Sequence, residues 1–122
     1  MQQKLIIDTD PGIDDAMAIH YAFAHPGLDV LGLTTIFGNV FVSQATRNAL
    51  LLSEQAHYSV NVAEGAAKPL VQSLNPPSHH VHGAEGFGDV PVKQPYGMQV
   101  EISAADYIVK KCRQHSGEVI LC

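Results

Sequence analysis

The chain has 122 residues, of which 46% are hydrophobic and 16% charged, and its formal net charge is −5. This length and composition are typical of one soluble globular domain with a buried core. The acidic balance and the lack of any Lys/Arg cluster argue against nucleic acid and against an anionic membrane as partners.

The apolar runs, the N-terminus and the cysteines of the chain predict its cellular compartment. No apolar run approaches the roughly 18 residues that a transmembrane helix needs. Residues 1–4 lead into a very short apolar stretch, unlike a secretory signal peptide. Cys112 and Cys122 match neither a disulfide framework nor a C-x-x-C pair, so we expect reduced thiols. We therefore expect a cytoplasmic protein.

Apolar runs and helical periodicities alternate along the chain. Strands are predicted at residues 4–8, 30–35, 60–63 and 118–122, and helices at 14–25, 43–56 and 103–115. The last helix begins with a pattern similar to a capping box, Ser103 followed by Asp106. Residues 64–101 carry five of the seven prolines and are predicted to be mostly loop. Within them, we expect residues 73–92 to form a mobile lid.

Strands that alternate with helices indicate βαβ units and right-handed crossovers. We therefore predict an α/β fold, with a Rossmann-like open and mostly parallel sheet between flanking helices. The buried-strand sequence at residues 119–122 is followed by no turn and no covering helix. We interpret the chain as truncated after its fourth strand, with an apolar edge left exposed.

Four of the twelve acidic residues lie close together near the start of the chain: Asp8, Asp10, Asp14 and Asp15. Two carboxylates about 5 Å apart repel by roughly 3 kcal/mol at an effective dielectric near 20. A proton, a basic side chain from elsewhere or a bound cation must offset this repulsion. Oxygen ligands of this kind suit Ca²⁺ or Mg²⁺.

The predicted elements place these carboxylates at one edge of the sheet. Asp8 and Asp10 follow the first strand and are expected on the same side of it. The Pro11-Gly12 turn then leads into a helix whose first turn carries the other two. Open α/β sheets bind ligands at the carboxyl ends of their strands.

The sequence D-T-D-P-G-I-D-D-A at residues 8–16 resembles the N-terminal signature of the inosine-uridine preferring nucleoside hydrolases. Further matches follow the second and third strands and lie in the long loop. They are Thr34-Thr35 with Gly38-Asn39, Gly65-Ala66 with Pro69-Leu70, and His82-Gly83 with Gly86-Phe87-Gly88. Residues 1–122 are thus expected to be the N-terminal part of a single nucleoside hydrolase domain.

The resemblance implies calcium-dependent hydrolysis of the N-glycosidic bond of ribonucleosides, which gives ribose and a free base for nucleoside salvage. It also implies a homo-oligomer. Asp10 and Asp15 match calcium ligands, and Asp10 matches the general base that takes a proton from water. Asp14 matches a carboxylate that accepts hydrogen bonds from ribose hydroxyls. Anionic groups around the ribose would stabilise an oxocarbenium-like transition state.

The same resemblance implies roles for three further residues. Asn39 matches a residue of the ribose pocket, His82 lies in a loop that closes over the substrate, and Asp8 lies behind the residues that touch ligand. The family's last calcium-binding aspartate and its histidine acid would lie beyond Cys122. A catalytically silent fragment, or an interaction module, is therefore the second hypothesis.

Other interpretations of the acidic cluster fit less well. A solvated helix N-terminus explains one aspartate better than four. In an EF-hand the glycine would fall one position later, and Pro11 would not be expected. A haloacid-dehalogenase-like phosphatase also places D-x-D after an apolar strand, but Pro11-Gly12 and Asp14-Asp15 fit it poorly.

The histidines at 79, 80 and 82 could suggest a transition-metal site. No cysteine or second ligand cluster lies at a recognisable spacing, so we favour loop histidines. Asn39 alone would more often be a turn residue than a ligand contact.

Overall fold

The computed structural model describes all 122 residues. Strands and helices alternate along the chain as the sequence predicts. The elements are β1 (Gln3–Thr9), α1 (Ile13–Ala24), β2 (Leu28–Thr35), α2 (Val42–Gln55), β3 (Val62–Glu64), α3 (His79–His82), α4 (Ala104–Gln114) and β4 (Val119–Leu121).

The four strands form one sheet in the order β3-β2-β1-β4, and every pairing is parallel. β1 lies in the interior of the sheet, between β2 and β4, as expected for an apolar strand that is buried on both faces. The predicted Rossmann-like α/β fold is thereby confirmed. The element boundaries differ from the predicted ones by one or two residues, as at α1, which begins at Ile13.

One face of the sheet carries the main hydrophobic core. α1 and α2 contact each other and cover this face, and α4 packs against β2 and β3. The core cluster consists of Ile7, Ile19, Ala22, Val30, Leu33, Ala49, Leu50, Leu52 and Val62. It fixes β1, β2 and both of these helices relative to each other, so that the loops at the carboxyl ends of the strands are held in place.

β2 contains a bulge that the sequence did not predict. Leu5 pairs with Val30, but the next residue, Ile6, pairs with Gly32, so Leu31 is left without a partner in β1. Val30 and Leu33 both belong to the core cluster, although residues three apart in a regular strand face opposite sides. The extra residue therefore shifts the second half of β2 by one position.

The long segment between β3 and α4 is mostly without regular structure, as predicted, but it contains the one-turn helix α3. Residues on either side of α3 are hydrogen-bonded to the connection between β2 and α2 and to α2 itself. Ser78 N–H donates to the Asn39 carbonyl at 3.1 Å, and Gln44 Nε2 donates to the Ala84 carbonyl at 3.0 Å. The mobile lid expected over residues 73–92 stays a prediction, and these bonds oppose it around α3.

Cys112 lies near the end of α4, and Cys122 directly follows β4. Ser103 Oγ accepts from Asp106 N–H at 3.1 Å and caps α4, on which Cys112 is an exposed free thiol. Ile120 and Leu121 in the edge strand β4 are about half exposed. Cys122 extends the pairing, since its N–H donates to the Ile6 carbonyl at 2.9 Å. No helix combines the length and apolar character of a membrane span.

Candidate functional site

The carboxyl ends of β1 and β2 lie side by side, because Asp8 pairs with Thr34 and Thr9 with Thr35. The chain leaves β1 through a turn over residues 10–12 that leads into α1. It leaves β2 through residues 36–41, which lead into α2. The two connections meet at this edge of the sheet, where the sequence predicts the ligand site.

Asp10 lies at the centre of the site and is half-buried. Its Oδ2 accepts a hydrogen bond from Asn39 N–H at 2.7 Å. Burial raises the pKa of Asp10, the charges of Asp15 and Asp14 raise it further, and the bond from Asn39 opposes the shift. The three carboxylates are therefore close enough to affect one another, as their spacing in the sequence predicts.

Asp15 is fixed by three donors. Its Oδ1 accepts from Thr9 Oγ1 at 3.0 Å, and its Oδ2 accepts from Gly12 N–H at 3.3 Å and from Asn39 Nδ2 at 3.4 Å. The bond from Gly12 is the carboxylate half of a capping box, because Asp15 is the third residue of α1. The Asp15 carboxylate therefore has two roles: it caps the first turn of α1, and it also contacts Asn39 in the site.

Asn39 connects the two carboxylates. Its backbone N–H binds Asp10 and its side-chain amide binds Asp15. Gly38 makes this arrangement possible, because a Cβ at that position would overlap Asp10 Oδ2. The structure thus places Asn39 between Asp10 and Asp15 and shows a bridging contact that the sequence did not indicate.

Asp8 and Asp14 are both exposed. Thr34 Oγ1 donates to Asp8 Oδ1 at 2.6 Å, across the β1–β2 pair. Asp14 Oδ1 lies 3.9 Å from His82 Nδ1. Asp14 is open to an incoming ligand, whereas Asp8 is hydrogen-bonded to the neighbouring strand, and its expected place behind the ligand-binding residues stays a prediction.

His82 is only 8% exposed and lies against the turn that precedes α1. Its Nδ1 accepts from Ile13 N–H at 3.1 Å, which leaves Nε2 as the ring nitrogen that can donate to another group. Nδ1 thus contacts the first residue of α1, and Asp14 Oδ1 lies farther from it, at 3.9 Å. The ring fits here because a Cβ on Gly12 would overlap Nδ1.

The neighbouring histidines do not join a metal site. His79 and His80 are exposed, and the rings of His79 and Phe41 form a T-shaped pair at a centroid distance of 6.4 Å. No group of three or more His, Cys, Asp and Glu side chains converges on one point in the chain. Of these three histidines, His82 is the one that packs on the site.

Asp10 and Asp15 have no basic partner. The Lys and Arg ion pairs join Lys4 to Glu118 and Arg47 to Glu85, and neither pair includes Asp10 or Asp15. The oxygens of these two carboxylates are ligand atoms that a hard divalent cation such as Ca²⁺ prefers. The residues present thus fit part of a calcium shell and leave the rest of the 6–8 ligands to other groups.

One residue near the site was missed by sequence reasoning. Asn48, on α2, is fully buried, and its Nδ2 donates to the Pro11 carbonyl at 3.0 Å. A signal for it was present in the sequence. Asn48 lies at helical spacing between Ala45 and Leu52, so it is a polar residue within an otherwise apolar stripe.

Comparison with known proteins places this site in a family. The family model described as inosine-uridine preferring nucleoside hydrolase matches residues 5–122. Uridine nucleosidase 1 of Arabidopsis thaliana is 51% identical over 120 residues, which cover 98% of this chain and 36% of that protein.

Solved structures agree with the sequence match. A plant nucleoside hydrolase, the PpNRh1 enzyme, superposes with a TM-score of 0.94 at 42% identity, over 99% of this chain and 39% of that one. A purine-preferring ribonucleoside hydrolase from Gardnerella vaginalis gives a TM-score of 0.93 at 30% identity, over 98% and 39% of the two chains.

The chain thus spans between 36% and 39% of the length of these relatives. The match includes the D-T-D-P-G-I-D-D-A sequence, both strand ends and the loop that carries His82. On these grounds the chain belongs to the inosine-uridine preferring nucleoside hydrolase family.

Proposed function

We propose that this chain is the N-terminal part of a calcium-dependent nucleoside N-ribohydrolase, which cleaves the N-glycosidic bond of ribonucleosides to give ribose and a free base. One observation carries the proposal. Asp10 and Asp15, bridged by Asn39, lie at the carboxyl edge of the sheet without a basic partner. In a chain of this family, such a pair is best explained by a cation that belongs to the reaction.

Asp10 and Asp15 would hold the calcium ion. A calcium ion bound there would position a water molecule and make it more acidic. Asp10 is also the proposed general base, since its carboxylate would lie beside the water molecule that the calcium ion holds.

Asp14 and His82 are the proposed substrate-binding residues. An ionised carboxylate only accepts hydrogen bonds, so the exposed Asp14 suits ribose hydroxyls. Its charge would also stabilise positive charge that develops on the ribose ring. His82 Nδ1 is occupied by Ile13 N–H, so only its Nε2–H remains to donate to a substrate. Asn39 is the proposed third contact of the ribose pocket.

A calcium titration of the purified chain tests the metal assignment. The variants are Asp10→Asn and Asp15→Asn, and the matched control is Asp29→Asn, which removes the same charge near the opposite end of β2. We expect each site variant to weaken calcium binding by about tenfold or more, because ligand charge sets affinity. The control should bind as the wild type does. Undiminished affinity in both site variants would remove the metal assignment.

A chimera tests the reaction. The 122-residue chain replaces the matching part of Arabidopsis uridine nucleosidase 1, to which it is 51% identical. With calcium present, release of reducing sugar from uridine or inosine is the expected result, and Asp10→Asn should abolish it. A folded chimera that binds calcium but releases no sugar would contradict the proposal.

The second candidate is a catalytically silent chain that acts as a fragment or interaction module. It is supported by the 36% to 39% of the relatives' length that the chain spans. The family assignment leaves no support for the phosphatase alternative. Assay of the chain alone and of the chimera separates the two candidates, since a silent module would be inactive in both.

We also propose that the protein is cytoplasmic and forms a homo-oligomer. Both cysteines are free thiols, which suits the reducing cytoplasm.

Met17 and Tyr21, one turn apart on the outer face of α1, are 73% and 67% exposed, and they would suit a homo-oligomer contact. Sedimentation analysis of the purified chimera would measure its oligomeric state. Ribose and free base, the proposed products, are the compounds that nucleoside salvage reuses.

A further inference from the structure

We infer that Asn48 is a positioning residue, whose side-chain amide holds the aspartate turn and the His82 segment in one arrangement; this inference rests on the function proposed above. Asn48 lies on α2 and is fully buried. Its Nδ2 donates to the Pro11 carbonyl at 3.0 Å and to the Glu85 carbonyl at 2.8 Å. One amide thus joins two segments that are far apart in the chain.

The first of these segments is the turn that presents the site carboxylates. Pro11 follows Asp10 directly, and α1 begins two residues later. No backbone N–H donates to the Pro11 carbonyl, and Asn48 is its hydrogen-bond donor. A buried carbonyl without a donor is costly, so this bond fixes the orientation of the peptide between Pro11 and Gly12.

The second segment carries His82. Glu85 follows three residues after it, and the Glu85 carbonyl accepts from Arg47 Nη2 at 3.2 Å as well as from Asn48. Arg47 also forms an ion pair with the Glu85 carboxylate at 2.5 Å. Two neighbouring residues of α2 therefore hold one residue of this loop.

There is little free space around the Asn48 amide. Gly86 is buried with φ +93°, and a Cβ on it would lie 2.8 Å from Asn48 Nδ2 and 3.0 Å from the Pro11 carbonyl oxygen. The backbone of the loop therefore packs directly on the amide. A small displacement of Asn48 would move the aspartate turn, the loop or both.

An amide is the side-chain group that this position requires. Both donors of Nδ2 point to carbonyls, and Oδ1 accepts from Arg47 Nε at 3.2 Å and Nη2 at 3.0 Å. Aspartate has the same shape but would place a carboxylate oxygen against two carbonyl oxygens. The bond from Ile13 N–H to His82 Nδ1 joins the same two segments. Without Asn48, that bond would be the remaining direct hydrogen bond between the two segments.

The test follows the imidazole nitrogens of His82 by NMR in the ¹⁵N-labelled 122-residue chain. We expect Asn48→Ser and Asn48→Asp to shift the His82 signals towards those of the exposed His80, because His82 leaves the turn. Tyr107→Phe is the matched control, since it removes a different buried hydrogen bond on α4. We expect Tyr107→Phe to leave the His82 signals unchanged, although it lowers the Tm by an amount comparable to that of the Asn48 variants.

Unchanged His82 signals in a folded Asn48 variant would overturn the inference. If both Asn48 variants fail to fold, Arg47→Gln and Glu85→Gln decide together, because both lose the Arg47–Glu85 ion pair and only Arg47→Gln also removes the guanidinium that donates to Asn48 Oδ1. A larger shift of His82 in Arg47→Gln than in Glu85→Gln would support the positioning role. Equal shifts, or no shift in either variant, would make Asn48 a residue needed for folding only.

Kinetics in the chimera give a second measurement. We expect Asn48→Ser to lower kcat by about tenfold or more, a size typical of losing a positioning contact, with a smaller change in KM. Tyr107→Phe should change kcat less than twofold. A wild-type chimera without activity would contradict the proposed function but not the NMR result. An active chimera with an unchanged kcat in Asn48→Ser would contradict the inference alone.

Discussion

The hydroxyl of Tyr107 donates a 2.6 Å hydrogen bond to the carbonyl oxygen of Leu31, the residue that β1 skips when it pairs with β2. A bulge leaves backbone groups without partners in the ladder, and this bond satisfies one of them. Gly32, the next residue, lies directly under the tyrosine ring, where a Cβ would overlap it. α4 thus stabilises the irregular point of the central strands.

Tyr107→Phe should lower the free energy of unfolding by about 1 kcal/mol, because the Leu31 carbonyl loses its donor while the ring still fills its site. Burial raises the pKa of Tyr107, so the hydroxyl remains a donor at neutral pH. Urea denaturation of both proteins measures the difference. Equal midpoints and equal slopes would show that the bond contributes nothing.

Gly38→Ala should weaken calcium binding by about tenfold, since loss of one oriented carboxylate contact typically has this size. The new Cβ would overlap Asp10 Oδ2 and push that carboxylate away from Asn39 N–H. Gly97→Ala is the matched control, because its Cβ would have no neighbour closer than 3.5 Å. Calorimetric titration compares the two variants. Equal affinities would mean that Asp10 adjusts without loss.

Asp10→Asn should make the metal-free chain more stable at pH 7. The pKa of Asp10 is raised in the folded chain above the ordinary value of 3.8. Protonation therefore favours folding below the ordinary value, and this advantage is lost as the pH rises through the raised pKa. At neutral pH the ionised group destabilises the metal-free fold. The gain from Asp10→Asn should shrink as the pH falls towards about 4.

Unfolding in urea with a chelator, at several pH values, measures this dependence. Added calcium is the control, since it should stabilise the wild type more than Asp10→Asn and so reduce or reverse the difference between them. A variant less stable than the wild type at pH 7 without calcium would contradict the expectation.

The 122-residue chain alone should not hydrolyse nucleosides at an enzyme's rate. Ca²⁺ takes 6–8 oxygen ligands, whereas the chain brings only the carboxylates of Asp10 and Asp15 to the proposed calcium site. Because catalytic groups act as a unit, we expect turnover about a thousandfold or more below a typical 10 s⁻¹. Reducing-sugar release from inosine or uridine in millimolar calcium measures it. Turnover near the typical value would show that these residues suffice.

The sequence predicts the fold well where structure follows from local pattern. The apolar runs of β1 and β2, and the Pro11-Gly12 turn between β1 and α1, are local signals. Because parallel strands present their carboxyl ends at one edge, the meeting of Asp10 with Asn39 also follows from the strand order.

The sequence does not predict features that depend on contacts between distant segments. The bulge at Leu31 depends on Tyr107, which is 76 positions away, and the bonds of Asn48 reach 37 positions in each direction. The short helix α3 interrupts a stretch rich in proline, in which local propensity favours loop. These features result from packing, and packing is a property of the folded molecule.

The position of β1 between β2 and β4 has a consequence for folding. β1 can pair with β2 as soon as α1 forms, but its pairing with β4 closes a loop of more than a hundred residues, since Lys4 and Glu118 are 114 positions apart. Contacts at such a distance slow folding. We expect the unit from β1 to β3 to form first and the β4 edge to exchange its amide hydrogens fastest within the sheet.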